Sequence, residues 1–244
     1  MKDWGRKFIE SGTMNAFKAT FTESEGVKYV FFDFDDTVRE SVNYGDDSGP
    51  PVEIGQVRVF PGMGKAIQQW IKNGYKVVGA TNQKGSLRRR EFVPAEQRAS
   101  ATLEDAAQGC GAIIQETLDQ LGVSFPVLFT SDSTVFIYNG GSVSVGGTFG
   151  TEDKKGGKAP KPSPAMGQVA FKLFGTPDLE NSLMVGDSFE NGDEMFANAI
   201  GVKWIHPGKL GRDFIEFTNQ KFSEEMEEES GTILQPNFYN THGY

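Results

Sequence analysis

The sequence predicts an α/β fold: a doubly wound, Rossmann-like parallel sheet with a minimal cap and a β-hairpin insertion. Apolar runs rich in β-branched and aromatic residues alternate with helical stripes along the chain. Carboxylates, hydroxyls and amides stand directly after several of those runs. An Asn-Gly turn between two alternating runs interrupts the rhythm once.

Residues 27–34 (VKYVFFDF) form a run with little alternation, the pattern of a strand buried on both faces. A polar stretch over 39–56 follows and carries Pro50 and Pro51. Met63, Ala66, Ile67, Trp70 and Ile71 then share one helical stripe, which Asn73-Gly74 stops. Residues 75–80 predict a second strand. A helical pattern resumes at about Ala95, behind Pro94, and runs to Gly122. Residues 125–130 predict a third strand. Within 131–157, TVFIY and SVSV flank Asn139-Gly140-Gly141, so this segment reads as a hairpin excursion from the core that ends in a Gly/Lys loop. Ser163-Pro164 forms a cap-and-first-turn pair for a helix that Gly175 ends. A fourth strand at 183–186, a helix through Phe196 and Ile200, and a fifth strand at 202–205 complete the alternation. The predicted organisation is an N-terminal extension (1–25), one domain (26–217) and an acidic tail (218–244), in which five glutamates lie between Glu224 and Glu229.

Composition removes several function classes. Cys110 is the only cysteine, which excludes an intrachain disulfide and a Cys-based zinc site. His206 and His242 are the only histidines, which argues against a His-rich metal site. Cys110 reads as a packing residue and His206 as a loop residue. No apolar run approaches the roughly 18 residues of a membrane span, and residues 1–12 show no secretory signal, so the expectation is a soluble cytoplasmic protein. A net charge of −9 argues against a generic nucleic-acid coat. Bases nonetheless cluster at Lys84 with Arg88–Arg90, and at Lys154, Lys155, Lys158 and Lys161; a positive mouth would suit a phosphorylated substrate, and solvated loops are the equal alternative. No sequence signal fixes an oligomeric state.

In an open parallel sheet, ligands bind beyond the carboxyl ends of the strands. After the first strand stand Asp33, Asp35 and Asp36. Unpaired charges are expensive at the end of a buried strand, and Asp33 and Asp35 project to the same side of an extended chain. That spacing suits one carboxylate for attack and one for proton transfer, with a cation between them; a loop of caps and turns is the alternative. Thr81-Asn82-Gln83 ends the second strand with donors suited to phosphoryl oxygens. Lys161 precedes a helix and can offer a point charge. Asp187 and Ser188 follow the fourth strand, with Asp193 beyond them. Acids in this setting favour oxygen ligation of a hard cation such as Mg²⁺, and N-capping is the ordinary alternative for Asp187 or Asp193.

Taken in order, these motifs resemble those of the haloacid dehalogenase (HAD) superfamily phosphatases, over roughly residues 27–207. Asp33, Asp35 and Thr37 match the first motif, Thr81 the second, Lys161 the third, and Gly186, Asp187 and a second acid the fourth. The usual spacing would put that second acid at Asn191. Counting back from Ala199 and Gly201 puts it at Asp193. TNQ and KPSPAM resemble the subgroup of histidinol-phosphate and heptose-bisphosphate phosphatases and the 3′-phosphatase domains of polynucleotide kinases.

The resemblance implies a phosphomonoester hydrolase with Asp33 as nucleophile and Asp35 as acid and base. Thr81, Lys161 and Asn82 would bind the phosphoryl group, and Asp33, Asp35 (through its backbone carbonyl) and Asp187 would hold Mg²⁺. Asp193, or Ser188, would support the metal or Lys161. The implied partner is a phosphorylated small molecule or an oligonucleotide 3′ end, and a non-catalytic phosphate-binding scaffold is the rival.

Overall fold

The computed structural model describes residues 26–44, 48–149, 159–188 and 192–231, with side chains to residue 223. The predicted extension, Lys154, Lys155, Lys158, Asn191 and the end of the tail lie outside the described residues. So do the side chains of the glutamates from Glu224 to Glu229.

A seven-stranded sheet forms the centre, in the order β7-β6-β5-β4-β1-β8-β9. Its strands are β1 (Tyr29–Phe32), β4 (Lys76–Asn82), β5 (Val127–Thr130), β6 (Thr134–Asn139), β7 (Ser142–Thr148), β8 (Leu183–Val185) and β9 (Lys203–Ile205). β5, β4, β1, β8 and β9 run parallel, as the alternating pattern predicts. β6 and β7 pair antiparallel and extend the sheet beyond β5. The hairpin is therefore a continuation of the sheet, not an excursion from it. The sequence marks the turn, but the edge that receives the strands is set by apolar residues such as Phe136, which stacks on Phe129 of β5.

β1 shows why a continuous apolar run belongs at the centre. Val30 and Phe32 enter one buried layer, whereas Tyr29 and Phe31 enter the other. The first layer is covered by α1 (Met63–Lys72), α3 (Leu103–Leu121) and α6 (Arg212–Gly231); the second is covered by α4 (Ala165–Phe174) and α5 (Asp193–Ile200).

Several boundaries differ from the sequence reading for local reasons. α3 begins at Leu103 rather than near Ala95, because Thr102 and Asp105 form a reciprocal capping box; residues Ala95–Gln97 make only a 3₁₀ turn. α4 begins at Ala165, and the Ser163 hydroxyl accepts a bond from its backbone N–H. The six-residue α2 (Lys84–Arg89) has no apolar stripe long enough to reveal it. α6 runs through residue 218, where the sequence suggests a tail begins. It is held there by Trp70 of α1, whose indole N–H donates to the buried Thr218 hydroxyl at 2.8 Å, and by Phe214 and Phe222 around the same ring. Between β1 and α1 the strands among the described residues are two residues long, β2 (Val42–Asn43) and β3 (Ser48–Gly49), which keeps the cap minimal. No helix among the described residues is long and apolar enough to cross a membrane.

Candidate active site

The register of the central strands brings the motifs together. Phe32 of β1 pairs with Gly79 of β4 on one side and with Val185 of β8 on the other. Asp33, Thr81 and Gly186-Asp187 therefore emerge at one end of the sheet, at the crevice where a parallel sheet binds ligands. They surround a cavity of about 310 Å³, lined also by Asp35, Asn82, Lys161, Ser188 and Asp193. The eight residues to which the resemblance gives a role all line this one cavity, whereas Thr37, Gln83 and Gly186 do not.

Lys161 is the buried cation of the cluster. Its ammonium lies 2.8 Å from Asp33 Oδ1 and 2.5 Å from Asp193 Oδ1, and its side chain is 2% exposed. Asn82 fixes the loop that delivers it: the amide oxygen accepts from the Lys161 N–H at 2.8 Å, and the amide N–H donates to the Lys161 carbonyl at 3.1 Å. Asp193, fully buried at the start of α5, also accepts from the Ser188 N–H through Oδ2. Gly186 makes that approach possible, since a Cβ there would lie 2.2 Å from Asp193 Cγ. Thr37 ties the first motif to the fourth by accepting from the Asp187 N–H at 3.1 Å.

Asp33, Asp187 and Asp193 each offer a carboxylate oxygen, all within 4.8 Å of one another. One ammonium against three carboxylates leaves two negative charges unbalanced. Burial, opposed by Lys161 and reinforced by Asp193 and Asp35, raises the Asp33 pKa to about 7. Asp187 is likewise raised, first by burial and then by Asp193 and Asp36. Burial alone would lower the Lys161 pKa, but the neighbouring Asp33 and Asp193 outweigh it and the net shift is upward. An all-oxygen donor set with this excess charge fits a hard divalent cation. The Asp35 carboxylate stands apart from that set. Arg39 Nε donates to its Oδ1 at 2.9 Å, and Gln83 Nε2 donates to its Oδ2 at 2.9 Å.

Arg39 and Gln83 are the site residues that sequence reasoning did not assign individually. The i, i+4 spacing of Asp35 and Arg39 is a signal for the first. Gln83 has none beyond TNQ, and its amide faces Asp35 and the Thr81 hydroxyl, 3.0 Å away. The second TNQ, Thr218-Asn219-Gln220, lies in α6 and lines no part of the cavity.

No family model matches the chain, and no curated protein matches it. Among solved structures it is similar to a crystal structure of a HAD-like phosphatase from Mesorhizobium loti, at 20% identity over 82% of this chain and 90% of that one, with a TM-score of 0.53. The chain shares the fold of that structure. It is also similar, at lower TM-scores, to D,D-heptose 1,7-bisphosphate phosphatase from B. bronchiseptica complexed with magnesium and phosphate (17% identity, 81% of this chain and 99% of that one, TM-score 0.41). A chain of the Pnkp1/Rnl/Hen1 RNA repair complex is a further likeness (11% identity, 77% and 44%, TM-score 0.40). The shared fold rests on the first of these. Within that fold, the crevice beside β1 is where the motif residues of this chain converge.

Proposed function

We propose that the chain is a magnesium-dependent phosphomonoester hydrolase that works through an aspartyl-phosphate on Asp33. The observation that carries this reading is the position of Asp33. It follows the central strand, faces the buried Lys161 ammonium at 2.8 Å, and shares one cavity with Thr81, Asp35, Asp187 beyond β8 and Asp193 at the start of α5. A buried carboxylate cluster of this kind has no packing rationale, because its charge is costly unless a ligand balances it.

In the first step an Asp33 carboxylate oxygen attacks phosphorus in line, forming the acyl-phosphate bond as the bond to the leaving oxygen breaks. Asp35 delivers a proton to that oxygen. In the second step Asp35 takes a proton from water, which attacks phosphorus and releases Asp33 and inorganic phosphate. Lys161 offsets charge on the transferring phosphoryl oxygens, the Thr81 hydroxyl hydrogen-bonds one of them, and Asp193 and Asn82 hold Lys161 in place. Asp33, Asp187 and Asp193 are the carboxylates that would hold Mg²⁺, with the Asp35 carbonyl implied by the family resemblance. When bound, the ion supplies charge neutralisation of the phosphoryl group and of the acidic cluster.

The minimal cap leaves the cavity accessible to a bulky phosphorylated end as well as to a small metabolite, and both substrate classes belong to the proposal. A cytoplasmic location is part of it, in keeping with a lone, buried Cys110. Turnover of a 3′-phosphorylated oligonucleotide and of sugar phosphates, each at two salt concentrations, separates the substrate classes, since nucleic-acid binding weakens steeply with salt. Borohydride added during turnover reduces an aspartyl-phosphate to homoserine and releases its phosphate, so peptide mapping should find homoserine at position 33. Homoserine at another position, or turnover indifferent to a chelator, overturns the mechanism.

A further inference from the structure

We infer that Arg39 is a positioning residue that fixes the acid–base carboxylate of Asp35, an inference that rests on the role given to Asp35 above. Arg39 is 1% exposed, and its guanidinium is constrained on three sides. Nε meets Asp35 Oδ1 at 2.9 Å. Nη1 donates to Thr117 Oγ1 at 2.7 Å, 78 residues away on α3. The Thr117 hydroxyl is itself oriented, because it donates to the Ile113 carbonyl at 2.9 Å and so turns a lone pair toward Arg39. The third constraint is the Phe34 ring, 5.3 Å from the guanidinium carbon. Phe34 in turn lies over Gly79 of β4, where a Cβ would come within 2.8 Å of the ring.

The backbone closes the same loop. The Arg39 N–H donates to the Phe34 carbonyl at 3.0 Å, and the Asp36 N–H donates to the Arg39 carbonyl at 2.8 Å. With Gln83 holding Oδ2, both oxygens of Asp35 are addressed by donors anchored in the scaffold. A buried ion pair is a weak stabiliser, since desolvation offsets most of its attraction. A carboxylate that transfers protons, by contrast, must be held within hydrogen-bond reach, and a misplacement of about 1 Å costs about a hundredfold in rate. Arg39 thus links the proton-transfer group to α3, an element that does not line the cavity.

The test uses the full chain with Mg²⁺ and two probes, p-nitrophenyl phosphate and phenyl phosphate. Nitrophenolate leaves without a proton, whereas phenolate needs one from Asp35. Arg39→Met should lower kcat/KM for phenyl phosphate about tenfold or more beyond its effect on p-nitrophenyl phosphate. Thr117→Val, which removes only the hydroxyl anchor, should shift the same ratio in the same direction by a smaller factor, and it carries the test if Arg39→Met does not fold. A loss common to both probes, or an unchanged ratio, means a purely structural arginine and overturns the inference. Absence of Mg²⁺-dependent turnover of either probe by the unsubstituted protein removes the parent reading instead, and this inference with it.

Discussion

Replacing Lys161 with Met perturbs the candidate site at its charge balance. The ammonium is 2% exposed and contacts Asp33 and Asp193, with Asp187 in the same cluster. Removing it leaves buried carboxylates without their protein counter-charge, a change that costs about 3–5 kcal/mol when one partner of a buried pair is lost. For a domain of this size each kcal/mol moves the melting temperature by about 2–4 °C, so the metal-free variant should melt roughly 6–20 °C lower at pH 8. The loss should shrink at pH 5. Burial and its acidic neighbours place the Asp33 pKa at about 7, and without Lys161 it lies higher still, so at pH 5 that carboxyl is neutral and no longer needs the cation. Thermal melts of both proteins in chelator at the two pH values measure this. A drop of the same size at pH 5 and pH 8, or one below about 1 kcal/mol at pH 8, would refute the charge-balance reasoning.

Other substitutions separate chemistry from scaffold. A carboxyl whose pKa rises on folding from 3.8 to about 7 contributes stability that is complete below the unfolded value and is lost as pH rises through 7. Asp33→Asn should therefore flatten the fall in metal-free stability between pH 4 and 8, by no more than about 4 kcal/mol since its Lys161 contact also weakens, as urea unfolding across pH will show. Gly186→Ala puts a methyl 2.2 Å from Asp193 Cγ, so it should lower kcat and destabilise by about 1–3 kcal/mol; retention of full kcat would mean that Asp193 is not held through this contact. Thr218→Val leaves the buried Trp70 N–H without its acceptor and should cost about 1–3 kcal/mol in chemical denaturation while kcat per folded molecule stays unchanged.

The parts of the fold that were legible in the sequence are those that depend on local pattern. Residues 27–34 read as a central strand because both faces of β1 are buried, and Asp33, Thr81 and Asp187 could be found because a parallel sheet gathers its strand ends. Counting back from Ala199 pointed to Asp193, whose buried bond to Lys161 now places it in the cluster. What stayed hidden depends on distant partners. Nothing near Arg39 announces Thr117, 78 residues later. α6 is too polar for a clear stripe, and it joins the core through contacts with distant residues, among them Phe214, Thr218 and Phe222 meeting Trp70. The hairpin turn was readable from Asn139-Gly140, but its pairing with β5 was not, because strand pairing is a property of the receiving edge.

The proposed mechanism makes Asp33 the nucleophile of a metal-dependent phosphatase. Phosphate release from p-nitrophenyl phosphate, measured with Mg²⁺ and with a chelator for the unsubstituted protein and Asp33→Asn, tests it most directly. Turnover should require Mg²⁺ and disappear in Asp33→Asn even though that variant remains folded. Metal-dependent turnover that survives the substitution would contradict it.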